Sequence, residues 1–146
     1  MRFVLAAAGL ALMVNACSEA AIEPPAPAEA PAPAVLGGVD LNAPVWVVGT
    51  EPFWAVNITP DVLVYSAPEV RPVTIMNSGP VVQGTTAVFS GASQDGTALA
   101  VTLIATECSD GMSDRTYPLT ARVELGGETF NGCANSVAAR DSEPSP

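Results

Sequence analysis

Three cysteines and a group of carboxylates are the side chains of this 146-residue chain best suited to chemistry. Cys17 stands by itself near the N-terminus. Cys108 and Cys133 lie in the C-terminal third, with Glu107, Asp110 and Asp114 close to the first of them. Two carboxylates flanking a sugar would serve glycoside hydrolysis, provided that one carries a raised pKa. Burial is what raises a carboxyl pKa. The stretch Cys108-Ser109-Asp110-Gly111-Met112-Ser113-Asp114-Arg115 has the composition of an exposed turn, so its acids read as solvated Asx-turn residues. Their oxygens also suit Ca²⁺, but the spacing does not fit an EF-hand loop. Histidine is absent, as is lysine, which removes histidine general bases, Ser-His-Asp triads and His-ligated zinc. No catalytic residue, metal or cofactor is therefore expected.

The thiols have other uses. Met1-Arg2-Phe3 supplies a positive charge, Val4 to Val14 is an unbroken apolar run, and Val14-Asn15-Ala16-Cys17 sets a small residue before cysteine. This is the layout of a secretory signal peptide, and the run is shorter than the ~20 residues a helix needs to cross a bilayer. The segment resembles the bacterial lipobox, with Asn15 an unusual residue inside it. In that reading residues 1–16 are removed and Cys17 is acylated, which makes a stable membrane anchor. The alternative is an ordinary signal peptide cut nearby, leaving a free thiol. Ser18 after the cysteine resembles the outer-membrane sorting choice. Export permits a disulfide, and with Cys17 consumed by lipid, Cys108 and Cys133 remain as one possible pair. Such a bridge would contribute about 3 to 3.5 kcal/mol by the chain-entropy model. A reactive thiol or thiolate metal site is the other possibility, but it lacks a CxxC motif and a neighbouring His or Lys.

The elements that must position these groups follow two compositional regimes. Residues 17–38 carry the anchor and an Ala/Pro/Glu-rich stretch, Glu23-Pro24-Pro25-Ala26-Pro27-Ala28-Glu29-Ala30-Pro31-Ala32-Pro33-Ala34. Proline lacks a backbone donor and disfavours helix in the residue before it, so this is an extended, semi-rigid tether. Roughly 20 residues at about 3.1 Å each reach up to about 60 Å from the membrane. Residues 39–138 instead show period two. Tyr117, Leu119, Ala121, Val123 and Leu125 alternate with polar residues, and Leu99, Val101, Leu103 and Ala105 form a second such face. Val45 to Val48, Phe53 to Thr59, Val62 to Ser66, Val73 to Asn77, Thr85 to Ser90 and Glu128 to Cys133 read as further strands, separated by Gly-, Pro-, Asn- and Asp-rich turns. No stretch sustains a capped helical period. An all-β domain is expected: a small antiparallel barrel or sandwich of seven to eight strands with one disulfide, followed by a disordered tail over 139–146.

Two segments break the regular spacing. In Gly49-Thr50-Glu51-Pro52-Phe53-Trp54 the adjacent aromatics must point to opposite faces if extended. One of them should be core and the other free for a surface; Trp54 reads either as core or as part of a recognition face. The second segment is the Cys108–Arg115 loop, where Cys108 would staple the loop to the last strand. GTEPFW, CSDGMSDRTYPLTARVELGG and the terminal GCA together resemble a family of small uncharacterised proteobacterial envelope lipoproteins. Members of that family sometimes sit beside modules similar to C-type lysozyme inhibitors or META-type heat-shock lipoproteins. The resemblance covers about Val45 to Ala134 and implies the β fold, the envelope location and the cysteine pairing; it brings no catalytic residues.

Charge then sorts the functions. The formal net charge is −10, and losing Arg2 with the signal peptide makes it more negative, so nucleic acid would be repelled. A tethered acidic domain would instead attract cationic partners, strongly basic lysozymes among them. The expected function is a lipid-anchored envelope protein, at the outer membrane and facing the periplasm, with a non-catalytic binding or structural domain. Candidate binding residues are Glu51, Phe53 and Trp54 in the first segment, and Asp110, Met112, Ser113, Asp114, Arg115 and Tyr117 in the second. A periplasmic lysozyme inhibitor is the alternative, with Ser113 or Asp114 inserted towards the catalytic carboxylates and Tyr117 supporting the loop. A carboxylate-based glycan enzyme is the remaining one.

Overall fold

The computed structural model describes residues 34–142. The signal segment, Cys17 and residues 18–33 lie outside the described residues, as do residues 143–146.

The chain opens with a short hairpin, β1 (Val35–Leu36) and β2 (Val39–Asp40). Gly37 and Gly38 turn it with φ of 53° and 81°, the left-handed region that costs glycine little. A meander follows: β3 (Val45–Thr50), β4 (Phe53–Ile58), β5 (Val62–Ala67) and β6 (Val70–Met76). Next come β7 (Val81–Gln83), β8 (Thr86–Ala92) and β9 (Ala98–Ile104), then a two-stranded ribbon, β10 (Cys108–Ser109) with β11 (Thr116–Tyr117). The chain finishes with β12 (Leu119–Leu125), β13 (Glu128–Ser136) and a helical turn and a half, α1 (Val137–Ser142).

Nine strands form one antiparallel sheet in the order β6-β5-β4-β3-β13-β12-β9-β8-β7. The last strand joins the two halves by pairing with β3, Val48↔Cys133 and Val47↔Ala134. Curling brings the edges close enough that Ile75 of β6 packs against Gly91 of β8, yet no ladder closes them. The domain is therefore a curled antiparallel half-barrel. One side chain of each alternating pair fills its inside: Val45, Val47, Val56, Ile58, Leu63, Ile75, Phe89, Leu99, Val101, Leu103, Leu119 and Val123 are all at most 2% exposed. Each contributes about 1.5 to 3 kcal/mol of burial, and apart from Trp54, Tyr65 and Tyr117 no side chain carrying a nitrogen or oxygen atom is buried among the described residues.

The open edge is protected by its own sequence. The Asn77 N–H donates to the Asp61 carbonyl at 2.8 Å, so by antiparallel alternation Val73 and Ile75 face β5 while Pro72, Thr74 and Met76 turn their backbones outward. Pro72 loses no ladder bond there, and its missing N–H makes the edge a poorer template for a foreign strand.

Three expectations are corrected. The folded part begins at β1, inside the stretch assigned to the tether, because Leu36, Val39 and Leu41 are all buried. β7 was absent from the expected strands because Val81, Val82 and Gln83 are all exposed, which leaves no alternation to read. Residues 139–142 belong to α1 rather than to a disordered tail. Ser136 caps that helix by accepting from the Ala139 N–H at 3.1 Å, and six residues are too few to show a 3.6 period. Among the described residues no helix is long and apolar enough to cross a membrane.

Candidate functional site

β9 and β12 are neighbours in the sheet, Ile104 opposite Thr120, yet the chain between them makes a long excursion that carries β10 and β11. That excursion lies on the outer face. Cys133 is paired with Val48 and Thr120, both outward-facing, whereas its neighbour Ala134 belongs to the interior cluster. The Cys108–Cys133 disulfide, with Cα atoms 5.5 Å apart, ties the excursion down over β13. Cys133 and Tyr117 are buried by this contact but stand outside the interior cluster. The staple to the last strand is as expected.

Asp110 organises the tip. Its Oδ1 accepts from the backbone N–H groups of Met112 at 3.0 Å and Ser113 at 2.9 Å. Its Oδ2 accepts from the Ser113 hydroxyl at 2.8 Å and the Tyr117 hydroxyl at 3.1 Å. Desolvation pushes this carboxyl up, but the four donors outweigh it and bring it down to about 2. Burial, and then the Asp110 contact, raise the Tyr117 hydroxyl. A general acid for glycoside chemistry needs a shift opposite to that of Asp110.

The sign for stability follows. A depressed carboxyl contributes stability that is present above its ordinary value of 3.8 and lost as pH falls towards about 2. Acidification through that window is expected to speed amide exchange at Met112 and Ser113 while the amides of β3 and β12 stay protected. An Asp110→Asn protein should show the faster exchange already at neutral pH. Equal protection in the two proteins across the window would contradict the assignment.

The two irregular segments meet. The Thr50 hydroxyl donates to the Asp110 carbonyl at 3.2 Å, linking the β3–β4 turn to the excursion across 60 residues of sequence. Between them lies an outer groove of about 520 Å³. Its floor is Trp46 and Val48 from β3 and Ala55 from β4; one wall is Ser66, Ala67 and Pro68, and the other is Asp110, Met112 and Tyr117. Phe53 and Met112 stand on its rim, 56% and 67% exposed. The Arg140 guanidinium of α1 lies over the Trp46 ring, 5.1 Å from its centroid.

The Phe53-Trp54 pair splits as strand geometry requires. Trp54 is 4% exposed and belongs to the interior, stacked on Tyr65 at 6.3 Å and tilted against Phe130 at 6.0 Å between ring centroids. It is a core residue that also borders the outer groove. A side chain at Gly49 would collide with its indole ring. Of the other expected residues, Glu51, Ser113 and Asp114 are exposed. The Arg115 N–H donates to the Ser113 hydroxyl at 3.3 Å. Sequence reasoning missed Trp46, Val48 and Ala67, because ordinary strand residues carry no signal that marks a groove wall. Among the described residues no group of three or more His, Cys, Asp or Glu side chains is arranged to hold a metal ion.

Comparison with protein-family models, with curated proteins and with solved structures finds no match to this chain.

Proposed function

We propose that the chain is a lipid-anchored cell-envelope protein whose non-catalytic β-domain binds a cationic polypeptide partner through the outer groove. The observation that carries this reading is the meeting of the two irregular segments at the Thr50–Asp110 bond, around an apolar groove with Phe53 and Met112 exposed on its rim. A monomer has no packing use for two large apolar side chains on one concave rim, and such patches mark interaction sites. The acidic balance of the chain supplies steering towards a basic partner. The signal-like N-terminus, Cys17 and the proline-rich tether support the location and the anchor, as does the resemblance to envelope lipoproteins. The lysozyme-inhibitor reading gains no specific support: Ser113 is tied to Asp110 within its own turn, and exposure alone gives Asp114 no specific target.

The test is site-specific crosslinking in the envelope of the host cell. A photoreactive side chain at position 53 or 112 is expected to give one discrete adduct, and one at the exposed position 90 on the opposite part of the sheet is expected to give none. Excess wild-type protein should compete the adduct away, while a Phe53→Asp protein should not. The same adduct from position 90, or competition by Phe53→Asp, would overturn the reading.

A further inference from the structure

The half-barrel has a second concavity at its open end, separate in lining chemistry from the outer groove. It measures about 760 Å³ and is lined on the inside by Tyr65 and Phe130, at the rim by Phe53 and Val70, and by the carboxylates Glu51 and Glu128. No arginine lines it. Its aromatic wall is continuous with the core, since Tyr65 and Phe130 lie 6.1 Å apart and both pack on Trp54.

Tyr65 is the informative residue. Its side chain is 4% exposed, and among the described residues its hydroxyl makes no hydrogen bond. A fully buried tyrosine ordinarily finds a partner for its hydroxyl, and among the described residues no fully buried polar side-chain atom lacks one, so the Tyr65 hydroxyl opens to the water of the mouth, where a ligand can meet it. Tyr65 and Glu128 line the same concavity, and desolvation, then the negative charge of Glu128, raise the hydroxyl. Aromatic faces, two carboxylates and a free hydroxyl, with no positive group, form an environment that favours a cation carrying apolar bulk.

We infer that the barrel mouth is a small-molecule site for a protonated organic amine, its apolar body against Phe130, Tyr65 and Val70 and its ammonium group between the Tyr65 hydroxyl and Glu128. The ammonium donates to both oxygens, while the hydrocarbon covers apolar surface now facing water. The site shares Thr50, Phe53, Ala67 and Pro68 with the edge of the partner groove, but Tyr65, Phe130 and Glu128, on which the amine reading rests, do not line that groove, so its failure leaves the groove reading untouched.

The test uses the purified full-length protein carrying Trp46→Phe, so that Trp54, in contact with Tyr65 and Phe130, is the fluorescent reporter. 4-Phenylbutylamine, protonated at neutral pH, is the probe; 4-phenylbutanol is its neutral counterpart and 4-phenylbutyrate its anionic one. The amine is expected to produce a saturable change with at least tenfold higher affinity than the alcohol, and the carboxylate none. Glu128→Gln, a change at the exposed first residue of β13, should erase the preference for amine over alcohol. Tyr65→Phe should weaken amine binding at least threefold, with an unchanged near-UV spectrum as the check on folding. Equal binding of amine and alcohol, an amine affinity untouched by Glu128→Gln, or no saturable signal from any probe would each overturn the inference.

Discussion

Replacing Trp54 by alanine is expected to lower the unfolding free energy by about 3 to 5 kcal/mol, the usual cost of emptying a large aromatic site in a core. A domain of this size holds only about 5 to 15 kcal/mol in total, so the variant should be partly unfolded near body temperature. The indole forms a three-ring cluster with Tyr65 and Phe130, and it lies against the backbone of Gly49 where any side chain would collide with it. That dependence gives an internal check. Gly49→Ala should be strongly destabilising in the wild-type background and much milder once Trp54→Ala has removed the ring, a coupling a double-mutant cycle in urea can measure. Phe53→Ala, one residue away on the opposite face, should shift the midpoint little. A Trp54→Ala protein with unchanged stability would contradict the packing described for β4.

The second large effect is expected from the disulfide. Changing Cys108 and Cys133 together to serine should cost about 3 to 3.5 kcal/mol by the chain-entropy model for the loop they close. The structural consequence should be uneven. Cys133 and Tyr117 are buried under the excursion and apart from the interior cluster, so releasing the staple frees residues 107–117 without opening the half-barrel. Hydrogen exchange should therefore show fast amides across that segment while β3, β4 and β12 keep most of their protection, the pattern of local rather than global unfolding. The groove would lose the wall formed by Asp110, Met112 and Tyr117. Uniform loss of protection across the sheet would instead show the bridge to be part of the core.

How much of this was legible in the sequence depends on whether a residue's role leaves a pattern. The all-β class and most strands follow from alternation in segments such as Leu119–Leu125 and Leu99–Leu103, where one face is interior and the other wet. β7 has three exposed residues and α1 has six residues with none buried, so neither carries a period. The two irregular segments were recognisable because each breaks the period with Gly, Pro or a run of Asp and Ser. Their meeting was not, because the Thr50–Asp110 bond depends on the register of β13 against β3 and on the staple across it. The free hydroxyl of Tyr65 was equally hidden, since in sequence it is one more inward residue of β5.

The claim that both segments build one binding surface is tested most directly by combining the staple with the crosslink. A photoreactive side chain at position 53 is placed in the Cys108→Ser, Cys133→Ser protein, whose sheet amides are first shown to remain protected. Loss of the adduct formed by the disulfide-bonded protein is the predicted result. An undiminished adduct would show that the excursion contributes nothing to the surface around Phe53, and would contradict the account.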